Sequence, residues 1–393
     1  MAEPHPPPNT IATELPTEII LYNILPRLPA KSLARFRFVC KQWRSFLRTP
    51  VFAKLHLRHL TNNDHQNHHK LLVLSLDLPY KYFYTIDCET PKDPSPATRS
   101  LPFEASYETF SIVTSLHGMV CVGITKRSQD DAEYSHLILW NPLTGEYKTL
   151  SKTGSDKECY RKTESPFGLY YSSSDDDYKL LRVTDLHSAY IYSLKSDSWR
   201  KVDVDQTYTL LFHWFSYSWE PTVLLNENLY FLKQKSDENC ILNSFSILMF
   251  NTKTEKFTSI ATPCFAYQST TCSSFMVHRD RIHFCVTIHG NPTFYHENIE
   301  LWKMVGDGDW TKVVNHRSMS FELLTTYPLH LMRNGNWLMH SVYGGGGIFQ
   351  LDMDKQTKDL VSPRVRVGVG IGVYIPLRGK YIETIVSPNQ YKE

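Results

Sequence analysis

The chain has 393 residues, 41% apolar and 21% charged, which is the composition of a globular protein and excludes a collagenous, low-complexity or wholly disordered one. Lys and Arg total 42 against 40 Asp and Glu, so no global field is directed at nucleic acid or an anionic membrane. The 8 cysteines are scattered without a C-x-x-C pair; in so long a chain this predicts reduced, mostly buried thiols and no disulfide framework.

Residues 1–10 are proline-rich and lack an apolar run, which reads as a disordered N-terminus and not as a signal peptide. No window reaches the roughly 18 apolar residues of a membrane helix. The expected compartment is therefore cytoplasm, nucleus or both, with no membrane partner.

Residues 11–60 carry helical periodicity. Pro16 suits a first helical position, where its missing N–H has no intrahelical role. Ile19, Ile20, Ile24 and Leu28 then share one face. Pro26 is expected to distort or end that helix, because it loses a bond and clashes one turn back. Leu33, Phe36, Val39, Trp43 and Phe46 recur at spacings of three and four. Thr49-Pro50 breaks this series, and Phe52, Leu55 and His59 continue it on a short helix. About 45 residues of short helices are too few to close a core comfortably. Spacing leaves two readings open: a helical cap on the rest of the chain, or a docking module whose remaining apolar face belongs to a partner.

The string Leu15-Pro16-Thr17-Glu18-Ile19-Ile20, Ile24-Leu25-Pro26-Arg27-Leu28-Pro29, Lys31-Ser32-Leu33-Ala34-Arg35-Phe36 and Val39-Cys40-Lys41-Gln42-Trp43 resembles the F-box of plant F-box proteins, from Leu15 to about Phe52. That resemblance implies binding of a Skp-type adaptor, which tethers the chain to a cullin scaffold in an SCF ubiquitin ligase. It assigns the adaptor-binding role to Leu15, Pro16, Ile19, Ile20, Ile24, Leu25, Leu28, Pro29 and Leu33. Between Lys31 and Leu60 lie eight Lys or Arg and no Asp or Glu. A basic helical segment can meet nucleic acid or membrane. With no wider basic patch, the family's acidic adaptor is the expected counterpart, and no nucleic acid is expected.

Residues 61–69 are polar and turn-rich and read as a linker that few contacts should cross. From residue 70 to 390 the pattern changes to short runs of Val, Ile, Leu and Tyr between turn residues, the signature of an all-β domain. The runs repeat. Leu137–Tyr147, Ala189–Trp199 and Ile247–Phe257 each read as strand, turn and an aromatic opening the next strand. Glu300–Trp310 does so one residue longer, and Ile348–Thr357 lacks the late aromatic. The anchors at 140, 192, 250, 302 and 351 step by 52, 58, 52 and 49 residues, and Tyr84–Asp87 is a weaker sixth copy. Each of the five clear copies is preceded by a hairpin, centred on His117-Gly118, Ser174–Asp177, Asn226–Asn228, Arg279-Asp280 and Asn334–Asn336. Four strands at a period near fifty predict a kelch-like propeller; the copies count to six blades, with five or seven left open. The strands of the tail, Val367–Tyr374 and Tyr381–Ser387, would complete the sparse first unit and leave no open edge.

The segments Leu116–Cys121, Leu139-Trp140-Asn141-Pro142, Gly168–Tyr171 with Asp177–Leu181, and Tyr192–Arg200 resemble the plant F-box-associated domain. The resemblance spans roughly 100 to 360. It departs in having His117 where that family often has Asn, and the double glycine of true kelch repeats is absent.

Other constellations read as structure. His65, His68 and His69 lie in an Asn-rich stretch without a further ligand at metal spacing. Gly344–Gly347 is followed by no helix and no Lys-Ser/Thr. Gly368, Gly370 and Gly372 alternate along a strand, which suits close packing of an inner strand. The acidic turns Ser172–Asp177 and Gly306–Asp309 lack EF-hand spacing, and no nucleophile elbow occurs. Trp140, Trp199, Trp302 and Trp310 occupy related repeat positions, which points to packing between blades.

No metal, cofactor or catalytic residue is expected. The chain reads as a non-catalytic substrate-recognition subunit that captures a target protein through propeller loops. The candidate loops are Lys126–Tyr134, Ser151–Glu164, His213–Glu220, Lys233–Asn239 and His289–Asn298. A non-degradative adaptor-binding scaffold and a propeller enzyme are the alternatives.

Overall fold

The structure, a computed structural model, describes residues 15–62, 69–75, 82–91, 99–103, 108–126, 133–151, 166–183, 188–204, 222–235, 244–263, 270–289, 297–306, 308–318, 326–341, 347–352, 357–361 and 378–391. Six four-stranded antiparallel sheets form the blades of a propeller. The innermost strands are Arg378–Ile382, Glu108–Leu116, Phe167–Ser172, Val223–Leu225, Thr270–His278 and Thr326–Leu331, for blades 1 to 6 in turn.

The repeat read from the sequence is the third strand of every blade. Its anchors Trp140, Tyr192 and Phe250 stand in register with the later aromatics Tyr147, Trp199 and Phe257 across to the fourth strand. Such cross-strand aromatic pairs stabilise a sheet by roughly 0.2–1 kcal/mol each. In blade 5 the extra residue is absorbed by an irregularity at Leu301/Trp302, so Trp302 faces Lys312 and its ring lies 4.8 Å from the ammonium. Tyr84–Asp87 lies within the third strand of blade 1, Tyr82–Asp87. All five expected hairpins form. His117-Gly118, Asn226-Glu227 and Arg279-Asp280 turn with positive φ at both residues, the two-residue turn whose twist matches its strands.

Ring closure is achieved by the tail. Arg378–Ile382 pairs antiparallel with His69–Ser75, from Val73↔Arg378 to His69↔Ile382. The strand is shorter and earlier than the expected Tyr381–Ser387, and Val367–Tyr374 lies outside the described residues. Closure fixes the last blade to the first elsewhere too. Glu89 accepts from the Arg333 amide at 3.0 Å and lies 2.9 Å from His330 Nε2.

The helical part departs from a regular helix where Pro26 demands it. Helix α1 (Thr17–Ile19) runs into a π turn (Ile20–Ile24) and then a 3-10 turn (Leu25–Arg27) containing Pro26. Pro16 itself is extended and precedes the helix. Helices α2 (Ala30–Phe36) and α3 (Lys41–Phe46) are separate, because Cys40 is extended and its Sγ accepts from the Trp43 amide. The Leu33-to-Phe46 periodicity therefore does not describe one helix, and Val39, expected inside, is exposed. Helix α4 (Pro50–Asn62) starts where Thr49 Oγ1 accepts from the Phe52 amide, and reaches further than expected. Its buried face is Phe52, Ala53 and His56, not Phe52, Leu55 and His59.

Two different cores claim that face. Phe52 joins Leu21, Leu25, Ala30, Leu33 and Leu47 in the helical core, which also takes in Ile385 from the tail and the edge of Leu143. Ala53 and Leu57 instead join the core of blades 2 and 3, beside Val386 and Tyr391. Of the expected linker 61–69, Thr61 and Asn62 belong to α4 and His69 to the first strand, while 63–68 lie outside the described residues; the expectation of few contacts between the two parts does not hold. A helical set too small for its own core borrows one from the propeller.

Candidate interaction surfaces

Strands alternate in direction, so the inner-to-second turns of blades 2–6 open on one face, together with the ends joined by the third-to-fourth connections and, in blade 1, Ile382 and His69. The helices sit on that face. Arg37 lies 3.4 Å from Glu146 and donates to the Ile385 carbonyl at 3.3 Å, Lys31 lies 3.6 Å from Glu383, and Lys54 is 2.5 Å from Asp176. Burial lowers the Arg37 pKa, and Glu146 counteracts this. Each contact uses a turn: Leu143 and Glu146 from blade 2, Asp176 from blade 3, and the segment that leaves the inner strand of blade 1.

That segment, residues 383–391, is wedged between helices and hub. Thr384, Ile385 and Val386 are all buried. Asn141, wholly buried, explains its motif. Its Oδ1 accepts from the amides of Leu143 and Thr144, closing the turn, while its Nδ2 donates to the carbonyls of Thr384 (3.0 Å) and Val386 (2.7 Å). Asn251 closes the equivalent turn of blade 4 in the same way, without a tail to hold. Thr384 Oγ1 donates to His117 O, Asn389 Nδ2 to Tyr147 O, and Tyr391 Oη to Asp176 O.

The exposed surface of the helices is apolar where the sequence placed the adaptor. Leu15, Pro16, Ile19, Ile24 and Pro29 are exposed, and Ile20 and Leu28 are half-buried. Two assigned residues are corrected. Leu25 is 1% exposed and Leu33 0%, so both hold the helical core and cannot face a partner. The π turn redistributes the side chains, so neighbours in sequence separate into Ile24 outside and Leu25 inside. Four more apolar residues of the helices, not assigned to this surface from the sequence, are exposed: Tyr22, Val51, and Phe38 and Val39 in the α2–α3 turn, the last two 84% and 62% exposed. Phe38 has no place in the Leu33-to-Phe46 series, whereas Val39 belongs to that series, which implies one helix that the structure divides in two. Arg27, Arg35, Lys41, Arg44, Arg48 and Arg58 are also exposed, and none is in an ion pair among the described residues.

The propeller's aromatics pack as expected. Trp140 is buried edge-on against Phe83 and Phe103. Trp199 donates to Ser151 O and Trp310 to Ala261 O, each pegging its outer strand to the preceding blade. No group of three or more His, Cys, Asp or Glu at metal-holding distance occurs among the described residues. Burial pushes the Cys88 thiol up to about 12 and raises that of Cys121, so neither is poised as a thiolate. The five candidate target loops fall largely outside the described residues. The strand ends they join all lie on the face opposite the helices.

An N-terminal helical module is thus seated on the turn face of a six-bladed propeller, and the two share buried contacts. The F-box domain profile matches residues 13–55, and the F-box associated beta propeller domain profile matches 65–341. The chain belongs to the F-box proteins with an F-box-associated propeller. "F-box protein At1g47340" of Arabidopsis thaliana is 27% identical over 64% of this chain and 54% of its own length. "F-box protein At3g22700" of the same plant is 28% identical over 64% of this chain and 71% of its own. The chain thus spans about half the length of the first of these relatives. Among solved structures, YjhT aligns at 10% identity over 75% of this chain and 98% of its own, with a TM-score of 0.41.

Proposed function

We propose that this chain is the substrate-recognition subunit of an SCF-type ubiquitin ligase, docking a Skp-type adaptor through the F-box and a target protein through the propeller. The observation that carries the reading is a division of surfaces. The F-box is held to the propeller by Arg37, Ala53, Lys54 and Leu57, while Leu15, Ile19, Tyr22 and Ile24 stay exposed. Exposed apolar groups on a small module gain roughly 25 cal/mol per Å² when a partner covers them. The exposed Arg and Lys around them suit an acidic partner. Target capture belongs to the opposite face, where the strand ends that the candidate loops join lie on a rigid scaffold. The chain supplies proximity and orientation, and the chemistry belongs to other subunits, in cytoplasm or nucleus.

The test is reconstitution: full-length protein with a purified Skp-type adaptor, cullin scaffold and conjugating enzyme. A stable adaptor complex, with ubiquitin transferred to a protein co-purified on the propeller, is the expected result. Adaptor binding without transfer would favour the non-degradative scaffold, and absence of adaptor binding would sink both readings.

A further inference from the structure

The segment 383–391 lies beyond both family profiles, which end at 55 and 341. It is nonetheless held by hydrogen bonds to His117, Asn141, Tyr147 and Asp176 and by ion pairs to Lys31 and Lys70. Ile382 ends the closing strand of blade 1, and the next residues alternate between the two bodies. Glu383 is 3.6 Å from both Lys31 of the F-box and Lys70 of blade 1. Thr384 turns to the hub, Ile385 to the F-box core, and Val386 to the core of blades 2 and 3.

Strand closure does not require this. Pairing with blade 1 is complete at Ile382, so the ring could close with the chain ending there. Beside the chain connection through 63–68 and the direct contacts of Arg37 and Lys54 with Glu146 and Asp176, residues 383–391 add a further join that enters both cores, Ile385 on the F-box side and Val386 on the propeller side. We propose that this C-terminal segment is a fastener that makes F-box and propeller one rigid body, with the F-box core completed by Ile385. The exposed stripe and the loop face are then held on opposite sides in a fixed orientation.

Side-chain geometry supports a designed fit over a chance contact. Arg37, buried in the F-box, spends one guanidinium nitrogen on the Ile385 carbonyl and another on Glu146. Gly118 has no Cβ where one would lie 2.2 Å from Thr384 Oγ1 and 2.9 Å from Ile382 O. Buried carbonyls of Thr384 and Val386 both receive the Asn141 amide, leaving neither orphaned.

The consequence for ubiquitin transfer rests on the proposed function; the coupling itself does not, and it is tested without an adaptor. Two full-length-based proteins suffice: Ile385→Asp, and a chain ending at Ile382, which keeps the closing strand. A carboxylate at Ile385 would be buried without a partner, so hydrogen exchange in α2 and α4 should quicken ~10–100-fold. Exchange in the strands of blades 4–6 should stay unchanged, and small-angle scattering should show a larger radius of gyration. Unchanged exchange in α2 and α4 would overturn the proposal. So would loosening that spreads equally through blades 4–6, which would make the segment part of the propeller core. Should the shortened chain fail to fold, Ile385→Asp decides alone. In reconstitution, Ile385→Asp should reduce ubiquitin transfer per bound target at saturating adaptor. Failure of wild-type protein to bind adaptor would instead strike only at the function.

Discussion

Asn141 Nδ2 donates to the Val386 carbonyl at 2.7 Å across 245 residues of sequence. The bond ties a turn of blade 2 to the tail that seats the F-box. Replacing Asn141 by Ala leaves the Thr384 and Val386 carbonyls buried without a donor and removes the side-chain acceptor of the turn. An unsatisfied buried group costs ~1–3 kcal/mol, so Asn141→Ala should lower the unfolding free energy by at least that much in urea titration. Asn141→Asp, which keeps the acceptor but aims a carboxylate at two carbonyls, should be worse. Equal stability of Asp and Ala variants would contradict the donor role.

Gly118 and Gly335 form a matched pair for testing how closely the tail approaches. Both have positive φ, 82° and 86°. A Cβ at Gly335 meets nothing within 4 Å, whereas one at Gly118 collides with Thr384. Gly335→Ala should cost only the backbone strain of a left-handed residue, ~1–2 kcal/mol. Gly118→Ala should cost clearly more, as thermal unfolding will register. Equal losses would mean that the tail can yield.

Charges placed on the F-box separate binding from folding. Ile19→Asp and Ile24→Asp change exposed side chains and should leave unfolding nearly unaltered while weakening adaptor binding ~10-fold or more by calorimetry. Leu25→Asp and Leu33→Asp should unfold the helices instead. Ile20 is a poor test residue because it is half-buried against the same core. Undiminished adaptor binding by both exposed variants would place the docking surface elsewhere.

His56 predicts an acid-sensitive F-box. It is buried, its Nε2 lies 3.1 Å from Leu28 O, and burial depresses its pKa to about 4. The bond to a carbonyl requires a proton on Nε2, and Nδ1 has no partner. The unfolded chain takes up its proton near pH 6.5, while the folded one resists until about 4. Stability is therefore full above pH 6.5 and falls between 6.5 and about 4, by up to ~3 kcal/mol. Hydrogen exchange in α4 should quicken over that window, and His56→Gln should flatten this local dependence. A wild-type profile that is flat between pH 4 and 6.5 would refute the assignment.

Much of this protein is local information repeated. The propeller was legible because each blade spells out its own third strand and turn, so Trp140, Tyr192, Phe250, Trp302 and Leu351 announce a period without any long-range contact. The F-box was legible as a string of apolar and proline positions. Its inner and outer residues were not fully separable, because periodicity assumes a regular helix. A π turn and an extended Cys40 break that assumption, sending Leu25 inside and Val39 outside, while Leu33 lies on the buried face of the regular helix α2. Tertiary structure alone decided how the two parts join. Residues 383–391 have no amphipathic period and little regular structure, so nothing local marks Ile385 as F-box core or Asn141 as its anchor. Those roles come from chain ends that meet only when the ring closes, bringing residues hundreds of positions apart into one buried contact.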